Sequence, residues 1–120
     1  MSGIARSVDR VLGCAGGVAA MLMDRPTGHV VAAAGDVSAL PSAEAVADGF
    51  RAVLGLGAGR AGPVEVEGLA LGTRERHIVV RPVAAPLPHD LLLVVVLDRG
   101  RTNAALAARQ VDEYARGLLT

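Results

Sequence analysis

The sequence predicts an α+β domain in which one sheet carries helices on both faces, and three observations predict it. Leu91–Leu97 is an unbroken aliphatic run, Leu-Leu-Leu-Val-Val-Val-Leu, held between Asp90 and Asp98. Strand side chains alternate between the two sides of a sheet, so such a run needs apolar cover on both. The run is also far short of the ~18 apolar residues that span a bilayer. Helical periodicity near the start, in the middle and at the end of the chain supplies the cover. Glycine and proline clusters between these stretches cut the remainder into strand-sized pieces.

The elements follow in order. Ile4, Val8, Val11 and Leu12 form one helical stripe, and Gly13 stops it. Gly16-Gly17 releases the chain into an apolar strand, Val18–Met23. Asp24-Arg-Pro-Thr-Gly28 is a tight reversal, with Pro26 suited to the second turn position and Gly28 to a left-handed bulge position. His29–Ala34 returns as the hairpin partner. Gly35–Ser38 punctuates, and Ser38 or Ser42 is placed to cap a helix carrying Ala43, Val46, Ala47, Phe50, Val53 and Leu54 up to Gly55. A glycine-rich loop ending at Pro63 leads to Val64-Glu-Val-Glu67. Leu69 and Leu71 then fall on the opposite parity, so Gly68 is expected to be a bulge. Gly72-Thr73 turns into a strand over Arg76–Arg81, stopped by Pro82. After a loop with Pro86 and Pro88 comes the aliphatic run. Gly100–Asn103 then caps a last helix with Ala104, Ala108, Val111, Ala115 and Leu118 on one stripe. The order is α-β-β-α-β-β-β-α, read as a single domain over residues 1–120.

Composition narrows the function classes. Twelve arginines and no lysine balance twelve Asp plus Glu. A neutral chain leaves no electrostatic footprint for nucleic acid or an acidic membrane. Phe50 and Tyr114 are the only aromatics, too few for a base-stacking platform. The single Cys14 has no intramolecular disulfide partner, which suits a reducing cytoplasm. Residues 1–10 carry charge without a following apolar stretch, so a signal peptide is not expected.

Motifs that carry chemistry are weak. Gly55, Gly57 and Gly59 resemble a phosphate loop, yet they follow a helix and run towards a strand, the reverse of what dinucleotide binding requires. His29, His77 and His89 show no metal-ligand spacing with Cys14 or a carboxylate. Ser2, Ser7, Ser38, Ser42 and Cys14 lie in no nucleophile motif. Glu65 and Glu67 share one strand face and read as solvated. No catalytic residue, cofactor or metal is expected. Two features invite an interaction instead. Gly49 lies mid-helix, where glycine costs about 1 kcal/mol relative to alanine, and with Ala45 and Ala52 it forms a small-residue strip that a second helix can approach. The strand from Val64 reads as an edge, which must be blunted or paired; its copy across a two-fold axis is one such partner.

Four segments together resemble the Roadblock/LC7 domain family, in its short actinobacterial form. They are Val11–Gly28, Ala45–Phe50, Arg76–Pro82 and Leu91–Arg99 with the alanine-rich helix after it. The resemblance implies a five-stranded antiparallel sheet in the order 2-1-5-4-3, with the first and last helices on one face and the middle helix on the other. It implies a homodimer made by the third strand and the middle helix, here Ala45, Val46, Gly49, Phe50, Ala52 and Val53 with Val64, Glu65, Val66 and Glu67. Glu44, Asp48 and Arg51 are then the expected partner-facing residues. Family members bind, regulate or scaffold Ras-like small GTPases, often beside a histidine-kinase-like protein. The expected protein is therefore a non-enzymatic, cytoplasmic bacterial regulator, peripheral to the membrane only through partners. The family carries no shared catalytic motif, and an arginine finger from Arg51 or Arg60 is disfavoured, large as the effect of such a finger can be. The rival expectation is a small-molecule-sensing α/β module with a core pocket, which would need a few placed polar groups that this chain scarcely supplies.

Overall fold

A computed structural model describes residues 3–13, 16–56, 68–83 and 90–117. Helix α1 (Gly3–Val11) buries Val8 and Val11 completely, and the chain leaves it through main-chain bonds from Leu12 to Asp9 and from Gly13 to Arg10. Strands β1 (Gly17–Asp24) and β2 (Val30–Gly35) form the expected hairpin. Gly28 has φ +74°, the left-handed conformation a turn glycine supplies without penalty. The ladder slips between Leu22 and Met23, which pair with Ala32 and Val30, so the extra residue is Val31.

A short 3-10 turn over Val37–Ala39 precedes α2 (Ala43–Leu56). Of the two candidate caps, Ser42 does the work. Its Oγ accepts from the Ala45 N–H at 3.1 Å, whereas Ser38 donates to Asp36 within the 3-10 turn. Among the described residues, strand β3 (Leu69–Gly72) pairs only with β4 (Arg76–Val83), and β4 pairs with β5 (Leu91–Asp98). A second 3-10 turn (Arg99–Arg101) takes in Gly100, and α3 (Ala104–Gly117) is capped by Asn103, whose Oδ1 accepts from the N–H groups of Ala105 and Leu106.

The sheet order is β2-β1-β5-β4-β3, with antiparallel pairing throughout. Leu91–Leu97 is therefore central, and each of its residues is at most 8% exposed. Its alternating side chains divide between two cores. Leu91, Leu93, Val95 and Leu97 pack with Val8 and Val11 of α1 and with Val111 and Ala115 of α3. Leu92 and Val94 pack with Met21, Met23, Val80 and the Val46, Ala47 and Phe50 side chains of α2. Two helices cover one face and one covers the other.

One strand expectation needs correction. Pro82 does not end β4, which runs on to Val83. Arg76 accepts from the Thr73 N–H, so alternate residues from Arg76 to Pro82 turn their main-chain groups towards β3. Pro82 thus directs its missing N–H past Leu69, the first residue of β3, and β4 loses no bond to β5. The expected bulge at Gly68 depends on Val64–Glu67, outside the described residues, while a close neighbour at Gly68 is described. A Cβ there would sit 2.1 Å from Arg81 Nη1 and 2.7 Å from the Val80 carbonyl oxygen. Arg81 lies across the bare backbone and donates to the carbonyls of Leu69 and Val80 at 3.3 and 3.1 Å. The preceding Val64–Glu67 lies outside the described residues, as do Gly57, Gly59 and His89.

Candidate interaction surface on α2

Helix α2 sorts its residues into three stripes. Val46, Ala47 and Phe50 face the chain's own sheet, at 7%, 8% and 3% exposure. Val46 and Phe50 are therefore committed to the core, a correction to their expected place in an interface between copies. Positions 45, 49 and 52, spaced i, i+4 and i+7, form a second stripe of small residues. Ala45 and Ala52 are exposed, and Gly49 and Val53 are half-buried. A Cβ at Gly49 would lie 3.8 Å from Leu69 Cδ1, so this stripe looks towards β3. There Leu71 is 59% exposed. Leu69 packs against the α2-side core, and alternation sets Leu71 on the same face. The small stripe and Leu71 thus border one low, apolar shelf at the β3 edge of the sheet.

Glu44, Asp48 and Arg51 make the third stripe, again at i, i+4 and i+7, and all three are exposed. Asp48 and Arg51 pair at 3.1 Å, an exposed i,i+3 contact worth a few tenths of a kcal/mol, about 0.3–0.5 at most. These residues form one wall of a cleft of about 330 Å³, whose other wall is the β1–β2 turn at Arg25, Pro26 and Thr27. The turn is anchored. Arg25 donates to Asp90 Oδ2 through Nε and Nη2 at 2.8 and 2.5 Å, and its main-chain N–H donates to the Asp90 carbonyl at 2.9 Å. Thr27 Oγ1 donates to Asp24 and accepts from the His29 N–H, which closes the loop locally. Glu44, Asp48 and Arg51 line this one cleft. Arg25, Pro26 and Thr27 were not foreseen as part of it, because a turn's approach to a helix some twenty residues later leaves no trace in local periodicity.

The cleft carries charges of both signs on solvated side chains, and the cation of its turn is already paired with Asp90. Among the described residues no three His, Cys, Asp or Glu side chains converge as a metal site requires. His29 is exposed beside the turn and His77 is half-buried in β4. No helix among the described residues is long and apolar enough to cross a membrane.

Neither a protein-family model nor a curated protein matches the sequence. Solved structures do match. MglB of Myxococcus xanthus superposes with a TM-score of 0.77 at 19% identity, over 96% of this chain and 90% of that one. A Roadblock/LC7 domain from Streptomyces avermitilis gives 0.67 at 15% identity, over 95% and 92%. The fold is that of the Roadblock/LC7 domain. A profilin from Schizosaccharomyces pombe gives 0.67 at 21% identity, over 96% and 95%, so the Roadblock/LC7 architecture fixes topology without fixing function.

Proposed function

We propose that this chain is a non-enzymatic regulator or scaffold of a Ras-like small GTPase, working as a cytoplasmic homodimer of Roadblock/LC7 domains in a bacterial signalling complex. The observation that carries the reading is the shelf beside α2. Ala45, Gly49 and Ala52 keep the helix surface low on the side where Leu71 stands exposed at the sheet edge. A surface of this shape lets the same helix of a second copy approach closely, and a two-fold axis makes the contact self-complementary. Val53 belongs to the same contact, and Val64, Glu65, Val66 and Glu67 are assigned to the strand edge next to it. Dimerisation would set two Glu44–Asp48–Arg51 stripes on one composite surface for the GTPase, with the anchored β1–β2 turns at its margins. A histidine-kinase-like protein is the natural further member of such a complex.

Light scattering on the purified chain tests the dimer. A dimer at tens of micromolar is expected, and Gly49→Leu should shift it towards monomer by wedging the two helices apart. A wild-type monomer, or an unchanged dimer in the variant, removes the shelf from the interface. Pull-down with GDP- and GTP-loaded GTPases then tests the partner, with Arg51→Glu expected to reduce capture. The chain alone should not turn over GTP.

A further inference from the structure

On the opposite face of the sheet, α3 and the end of β4 border a groove of about 620 Å³. Arg81, Arg109 and Arg116 line it, with Asp112 as the single carboxylate among its described lining residues. Among the described lining residues three cations face one anion, in a chain whose overall charge is zero. Asp112 is shared: it accepts from Arg116 and lies 3.9 Å from Arg81 Nε. Arg81 is the fixed member, with a side chain only 18% exposed and Nη1 bonded to the Leu69 and Val80 carbonyls. Arg109 and Arg116 are 78% and 73% exposed, and Arg109 has Glu113 as an i,i+4 ion-pair partner at 3.9 Å.

We infer that this groove binds an acidic, extended segment of a partner protein, at a site separate from the α2 surface. Charge complementarity selects an anion. Spacing suits a segment: Arg109 and Arg116 are seven residues apart, about 10 Å along a helix. Two carboxylates three residues apart on an extended chain span it, at about 3.1–3.3 Å per residue. The inference does not depend on the proposed GTPase partner or on dimerisation.

Fluorescence anisotropy with a labelled decaglutamate peptide at low salt tests it. Saturable binding is expected, weakening as salt screens the exposed charges. Arg109→Glu combined with Arg116→Glu should weaken it by about tenfold or more, since each such step is a modest interaction energy. Arg74→Glu combined with Arg101→Glu changes the net charge equally at exposed positions outside the groove, and should leave affinity within about twofold. Circular dichroism checks that each variant is folded. Absence of peptide binding to the wild type, or equal loss in the two double variants, overturns the proposal. So does competition by millimolar inorganic phosphate as effective as unlabelled peptide, which would mark a small-anion site.

Discussion

On the face covered by α1 and α3, apolar cover comes from two helices, with Val8 and Val11 on one and Val111 and Ala115 on the other. On the opposite face α2 covers the sheet alone, chiefly through Val46, Ala47 and Phe50. Among the described residues, the β3 side of that face carries exposed Leu71, with small residues looking towards it. The two-helix face instead presents a rim of arginines beside β4. A doubly buried sheet needs cover on both sides, but the number of covering helices decides what kind of surface is left for a partner. One helix leaves an apolar shelf, and two leave a charged groove.

The largest expected effect tests how unequally the two faces are anchored. Phe50→Ala removes the one aromatic ring from the α2 core and should cost about 3–5 kcal/mol. Val111→Ala, on the face where four helix residues share the contact, should cost less, within about 0.5–3 kcal/mol. Urea denaturation of both variants at one protein concentration decides the matter. Equal losses would break the contrast, because they would mean that α2 does not depend on its single large side chain.

Next in size is the joint between β3 and the arginine groove. Gly68→Ala places a Cβ against both Arg81 Nη1 and the Val80 carbonyl. The guanidinium can swing away but the backbone oxygen cannot, so a loss of about 1–3 kcal/mol is expected. Adding Arg81→Ala should recover only part of it. Full recovery in that double variant, measured by thermal unfolding, would show that the close contact lies with the side chain alone.

Most of the fold was legible because its signals are local. The Leu91–Leu97 run, the Asp24–Gly28 turn and the stripes of the three helices each declare themselves within a few residues. The errors fall where distant chain segments meet. Pro82 reads locally as a stop, yet β4 runs through it to Val83, because the proline's missing N–H lies on the side away from β5. The close approach of Arg81 to Gly68 is likewise a contact between distant positions. Val46 and Phe50 were placed in an interface because they share α2 with Gly49, although a hundred degrees per residue separates core from surface on a helix. The β1–β2 turn facing Glu44, Asp48 and Arg51, and the arginine groove, are tertiary facts with no local signal.

A smaller effect concerns the anchored turn on the α2 side. Asp90→Asn removes the charge that holds Arg25 but keeps the main-chain bond between the two residues. The side chains are 36% and 38% exposed, so solvent limits the loss to about 1 kcal/mol. Faster amide exchange at Gly28, whose N–H donates to the Asp24 carbonyl, is the expected local sign. Unchanged exchange there would mean that Thr27 and Asp24 hold the turn unaided.

The smallest effect, and the sharpest for the shelf, is Gly49→Ala. The new Cβ meets only Leu69 Cδ1, at an ordinary contact distance of 3.8 Å. Within one protomer the change should therefore be favourable by about 0.5–1 kcal/mol, the helix propensity that glycine forgoes. If Gly49 owes its place to composition alone, that gain appears at every protein concentration. If it keeps two α2 helices close, the methyl group stabilises the protomer while loosening the dimer, and the gain should shrink as concentration rises. Thermal unfolding at two concentrations, paired with light scattering, separates the outcomes. A gain independent of concentration would assign the low profile of the shelf to the chain's alanine- and glycine-rich composition and move the search for a self-contact to another part of the surface.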